Sequence, residues 1–168
     1  MKTKNSKLVV SVMCWFAMVI AIAAVPAFGI MHDEEGGCIA NEITQDQLKQ
    51  ARQATGAFNS VAAAENAGYV NINLLIPHMG NHYVNFGLVD TTFEADKPEA
   101  LVYADLGNGR QQLVAVEYLA PLSLVAPEGF VGTCDRWEPF GGVFWTLHAW
   151  IWHPNMAGTF NQFNPLVP

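Results

Sequence analysis

Positive charge is scarce in this chain. Eight lysines and arginines stand against fifteen aspartates and glutamates, a formal net charge of −7 over 168 residues. Lys2, Lys4 and Lys7 crowd the extreme N-terminus, and every acidic residue comes after them. Removal of that end would bring the balance to −10. Nucleic acids and anionic lipid surfaces are bound through clustered Lys and Arg, so neither is an expected partner. Cysteine is sparse too. Cys14, Cys38 and Cys134 form no C-x-x-C and no haem-attachment pattern, which excludes the common dithiol and c-type haem motifs. No Gly-rich phosphate loop, dinucleotide fingerprint or G-x-S-x-G elbow occurs, so the simplest nucleotide-binding and hydrolase readings fall away.

Long apolar runs are lacking everywhere except at the start. Leu8 to Ala24 is almost wholly apolar, follows the three lysines and leads to Ala27 and Gly29 at −3 and −1 spacing, which reads as a signal peptide over 1–29. The rival reading is an uncleaved anchor, since Leu8 to Ile30 is long enough to span a bilayer, and a membrane contact is expected only in that case. A periplasmic or secreted location follows. Cys38 and Cys134 would then meet an oxidising compartment, either as a disulfide or as two unpaired thiols. A disulfide closing so long a loop contributes about 4–5 kcal/mol in the chain-entropy picture.

Residues 30–43 read as a flexible acidic segment and 44–168 as a single domain. Thr44 and Gln47 have capping-box spacing, and Leu48, Ala51, Thr55, Phe58 and Ala62 recur at three- and four-residue steps. That predicts one amphipathic helix from about 45 to 67, weakened at Gly56 and stopped at Gly68. Val70, Ile72, Leu74 and Ile76 alternate with Asn71 and Asn73 as a strand, ended by Pro77. Asn108-Gly109 between Leu101–Ala104 and Leu113–Leu119 is a hairpin signal. Val143 to Trp152 is an aromatic, apolar strand. The expected fold class is α+β, with one long N-terminal helix packed on a mainly antiparallel β-sheet.

Four polar residues stand out against apolar surroundings. His78 and His82 flank Met79 in a Pro- and Gly-bounded stretch read as a loop. Glu117 lies in the second hairpin strand, and His148 in the late strand on the face of Thr146, Trp150 and Trp152. A lone carboxylate in an apolar run is costly to bury, so Glu117 needs a partner. Two neutral imidazoles and one anionic oxygen suit a borderline divalent cation. His82, Glu117 and His148 are therefore candidate ligands, with His78 as a fourth, for zinc, iron or copper. The bland alternative leaves each histidine bonded to a backbone carbonyl and Glu117 paired with Arg110 or Arg136. Met79 adds a soft sulfur that suits copper but more often packs. Cleavage after Gly29 would start the chain Ile30-Met31-His32, a square-planar Cu(II) or Ni(II) motif.

Met79-Gly80-Asn81-His82-Tyr83, Pro98-Glu99-Ala100-Leu101-Val102-Tyr103, Val116-Glu117-Tyr118, Leu147-His148-Ala149-Trp150-Ile151-Trp152 and Asn164-Pro165 form an ordered set. In it the chain resembles a group of exported bacterial proteins of unknown function, over roughly Ala51 to the end. The resemblance implies no activity. His78 stands outside the pattern. His153-Pro154-Asn155 departs from its order, which leaves His153 as a surface histidine.

Three functions follow as expectations. The first is an exported metal-binding protein. The second is a metal-dependent enzyme, cupin-like in chemistry, which needs an open coordination position and a pocket for a small molecule. The third is an aromatic carbohydrate- or envelope-binding module without metal, which requires tryptophans exposed on a flat face and His82 turned away from Glu117.

Overall fold

The computed structural model describes residues 40–168. The signal segment, the Ile30-Met31-His32 motif and the expected Cys38–Cys134 pairing lie outside the described residues.

Helix α1 (Glu42–Thr55) is followed by α2 (Val61–Asn66) and six strands: β1 (Val70–Ile76), β2 (Gly80–Val84), β3 (Ala100–Asp105), β4 (Gln111–Pro121), β5 (Glu138–Phe140) and β6 (Phe144–Ala149). All pair antiparallel in one sheet of order β1-β2-β3-β4-β6-β5. The sheet is curled into a half-barrel and forms most of the described fold.

This corrects the expected α+β architecture. No long N-terminal helix packs on the sheet; there are two short ones. The expected 45–67 helix breaks because two signals compete within it. Gly56 caps α1, and Ser60 turns extended so that its hydroxyl accepts from Ala63 N–H, restarting the chain as α2. The start is also shifted. Asn41 is the N-cap, its side chain accepting from Thr44 N–H, while Thr44 is the third helical residue of the capping box. Thr44 donates to Val131 O, Arg52 to Ile151 O, and Thr55 Oγ1 accepts from Trp152 Nε1 at 3.0 Å. The helix thus rests its polar contacts on loop and tail. Gly68, with φ of 94°, ends α2 as expected of a C-terminal glycine.

The expected hairpin forms as β3 and β4. Its faces segregate along most of their length. Leu101, Tyr103, Val116, Tyr118, Leu147 and Ala149 join Ala51 and Ala64 in the main core. The opposite face carries Val84, Ala100 and Leu119, and Val102, Ala115 and Trp150. One departure is local: the register shifts between Val102 and Tyr103, so Tyr103 opposes Leu113 and Leu113 packs toward the main core while Val114 does not. A bulge moves every later side chain to the other face. Similarly, the strand expected over 143–152 ends at Ala149, and Trp152 leaves the face of His148 to lie under Arg52, 4.4 Å from its guanidinium.

Residues 150–168 hold no regular element yet bury Phe160, Asn164 and Val167. They are tied to the β1–β2 turn. His78 N–H donates to Pro168 O at 3.0 Å, Asn164 N–H donates to His78 O at 2.8 Å, and His78 Nδ1 lies 2.9 Å from Val167 O.

Candidate metal centre

Glu117 and His148 are direct cross-strand partners on β4 and β6. In the same row Glu117 opposes Ala100 on β3, and Ala100 opposes Val84 on β2. His82 sits two residues before Val84, on the same face, opposite Val102. The imidazole of His82 and the carboxylate of Glu117 meet across the intervening β3 strand. His82 was expected in a loop; it is a strand residue, held to a face by register.

The three side chains are nearly inaccessible, at 2%, 6% and 3% exposure for His82, Glu117 and His148. One donor atom from each lies within 4.8 Å of the other two. His82 Nε2 is 3.6 Å from Glu117 Oε2, and His148 Nδ1 is 3.4 Å from Glu117 Oε1. Ordinary N–H···O bonds are shorter, about 2.7–3.2 Å. Four donors set tetrahedrally at about 2.0–2.1 Å from zinc stand about 3.3–3.4 Å apart. Both separations are longer than hydrogen bonds and close to ligand spacing, and they run to the two different oxygens of the Glu117 carboxylate, one toward each imidazole.

Local structure fixes the orientation of His82. Between Asn71 and Leu75 the β1–β2 register shifts, and Asn73 takes φ of 55°. Asn71 Oδ1 accepts from Asn73 N–H at 2.7 Å and Asn71 Nδ2 donates to Tyr83 Oη at 3.2 Å. Asn is among the few side chains that adopt this left-handed backbone readily. The bulge brings the Leu74 carbonyl within 3.1 Å of His82 Nδ1. The ring proton therefore sits on Nδ1, and the Nε2 lone pair faces Glu117, the arrangement in which a histidine ligand is usually held. His148 differs: its Nε2 is buried without a hydrogen-bond partner, its ring stacks on Trp150 at 6.2 Å, and it meets the ring of His82 edge-on at 5.9 Å.

The electrostatics favour an uncharged donor set when no cation is present. Burial pushes the Glu117 carboxyl up to about 8, against a lowering hydrogen bond from Thr146. Burial pushes His148 down to about 3, helped by His82, and lowers His82 as well, against raising backbone hydrogen bonds. Among the described residues neither Arg110 nor Arg136 forms an ion pair with Glu117. Neutral imidazoles are the form that binds metal, and a divalent ion would replace the proton on Glu117.

His78 lies apart from this group. With φ of 64° and its ring on Val167 O, it secures the tail instead. Met79 is buried beside the centre, in the wall of a cavity of about 80 Å³ that also touches His82 and Glu117. A second cavity, of about 130 Å³, lies on the His148 side and includes Arg136 and Glu138. Thr146 and Gln162 line both. Sequence reasoning missed these two. Thr146 was within reach, since it shares the strand face of His148 two residues on; Gln162 lies in a tail without periodicity.

Trp150 is buried and Trp137, Trp145 and Trp152 are half-buried. With His82 facing Glu117, neither requirement of an aromatic sugar-binding platform is met. The chain matches no protein-family profile, no curated protein and no solved structure.

Proposed function

We propose that this is an exported metal-binding protein in which His82, Glu117 and His148 hold one divalent transition-metal ion, with zinc and ferrous iron the best matches to the donor set. The observation that carries the reading is the convergence of three buried titratable groups at ligand spacing, without hydrogen bonds among them, from three different strands. Local hydrogen bonds, to the Leu74 carbonyl and from Thr146, hold two of these groups, and the atoms that face one another stand farther apart than hydrogen-bonded partners. Two nitrogens and one oxygen suit zinc and ferrous iron better than Cu(I), which favours thiolate and thioether. Export is supported by the Lys2–Lys7 flank and the apolar run after it.

Three protein donors leave at least one coordination position for a non-protein ligand. Both adjoining cavities are small beside the several hundred Å³ of an ordinary substrate pocket. Metal holding or handling is therefore preferred to turnover of a sizeable substrate.

Elemental analysis of untagged protein after incubation with zinc and desalting tests this. One zinc per chain is expected in the wild type and far less in His82→Ala and in His148→Ala. A wild type that binds none, or variants that bind as much, overturns the assignment.

A further inference from the structure

The cavity beside His82 and Glu117 has a chemical polarity of its own. One end is polar: the two ligands, Thr146 and Gln162. The walls are apolar and come from Ile72, Leu74 and Ile76 of one edge strand, β1, and Phe140 of the other, β5, with Val84, Leu119 and Phe144 from strands between them. The half-barrel thus curls around this space, and the partly exposed Ile72, Phe86 and Phe140 stand at its open side. No lysine or arginine lines it.

We infer that this cavity takes a short aliphatic monocarboxylate, with the carboxylate on the metal and the alkyl chain between β1 and β5–β6. The inference rests on the metal reading above. Its logic is charge and shape. A divalent ion held by two neutral imidazoles and one carboxylate keeps one net positive charge in a nearly dry site. With no other cation or anion in the lining, a single negative head group neutralises that charge at least cost. The walls then reward methylene groups and offer nothing to a second polar end. A volume of about 80 Å³ limits the chain to about three to five carbons, a few water-sized groups. Ile72, Leu74 and Ile76 all line this space across the β1 bulge, a use for these apolar side chains that packing in the main core does not supply.

Cobalt(II) is the probe, since its visible spectrum reports the ligands around it. Wild-type protein loaded with one Co(II) is titrated with the sodium salts of acetate, propionate, butyrate, pentanoate and octanoate. Each added methylene should tighten binding about three- to fourfold up to the length of the cavity, and octanoate should fall off this line. Ile72→Asn, at the opening and away from the three donors, should weaken pentanoate more than acetate. Spectra that no carboxylate changes, or affinities that ignore chain length, overturn the ligand assignment and leave the metal site standing. Failure of the wild type to take up Co(II), or uptake unchanged in His82→Ala, shows instead that the metal reading is wrong, and the ligand assignment falls with it.

Discussion

Glu117 and His148 face each other as a directly opposed pair on β4 and β6, with Oε1 3.4 Å from Nδ1. Such pairs form the closest side-chain contacts of an antiparallel sheet. Here the pair is buried and holds an acid and a base at a distance too long for a strong hydrogen bond. The protein therefore carries an unfavourable polar site in its core unless something fills it.

Glu117→Gln should abolish zinc uptake while leaving metal-free protein at least as stable as wild type near pH 8. The amide keeps the shape and removes the charge that burial disfavours. Urea denaturation in the presence of a chelator measures the second effect; marked destabilisation of the variant at that pH would contradict the reading.

The pH dependence follows from the sign of each shift. Glu117 is raised from 4.5 to about 8, so the folded state holds its proton more tightly than the unfolded state. Its contribution is whole below about 4.5 and is lost as pH climbs through about 8. His148, depressed to about 3, acts oppositely and costs stability as pH falls from 6.5. The stability difference between metal-free wild type and Glu117→Gln should therefore shift against the wild type across pH 5–8. Zinc affinity should run the other way and strengthen over that range, because the ion competes with the Glu117 proton.

Glu99 offers a control away from the centre. It is buried, accepts from Leu119 N–H at 3.0 Å and is raised to about 7 by burial, despite that bond. Glu99→Gln should flatten the fall in stability between about pH 4.5 and 7 without altering zinc stoichiometry, as read by denaturation and elemental analysis.

Two backbone positions should be intolerant for steric reasons. At Gly80, φ is 117° and an added Cβ would stand 2.5 Å from Tyr103 O on β3, so Gly80→Ala should cost about 2–4 kcal/mol. At Asn73, valine should cost about 1–2 kcal/mol through its left-handed backbone, whereas glycine should be nearly neutral. Asn73→Val should also weaken zinc binding about 10- to 100-fold, since the bulge positions the Leu74 carbonyl on His82. Denaturant midpoints and zinc titration separate the two effects.

Ala40, two positions after Cys38 in sequence, forms an isolated bridge with Gly132, two positions before Cys134. Mass spectrometry of exported, non-reduced protein should find a peptide pair joined through Cys38 and Cys134. Two free thiols would refute it.

Glu117 and His148 were legible in the sequence because each breaks a local pattern, whereas His82 stood out only as one of two histidines in an expected loop. Glu117 and His148 interrupt apolar strands, and period-two alternation already assigned their faces. The hairpin was legible from Asn108-Gly109. The long helix was not, because its apolar stripe continues through Gly56 and Ser60 while the caps that divide it are local hydrogen bonds. Asn71 and Asn73 were read as the polar side of a regular strand; they form the bulge that turns a carbonyl toward His82. His78 could not be separated from His82 by spacing, since what distinguishes them is the returning tail. Long-range contacts of this kind leave no period in the chain.

That returning tail has a consequence for how damage would spread. Pro168 and Val167 meet His78 across 89 positions of sequence in the case of the ring contact, and Phe160, Asn161 and Gln162 border the space beside His148. Deletion of residues 160–168 would unfasten the clasp on the β1–β2 turn and unroof one side of the His148 cavity. Truncations remote in sequence from every donor would then mimic loss of the donors themselves.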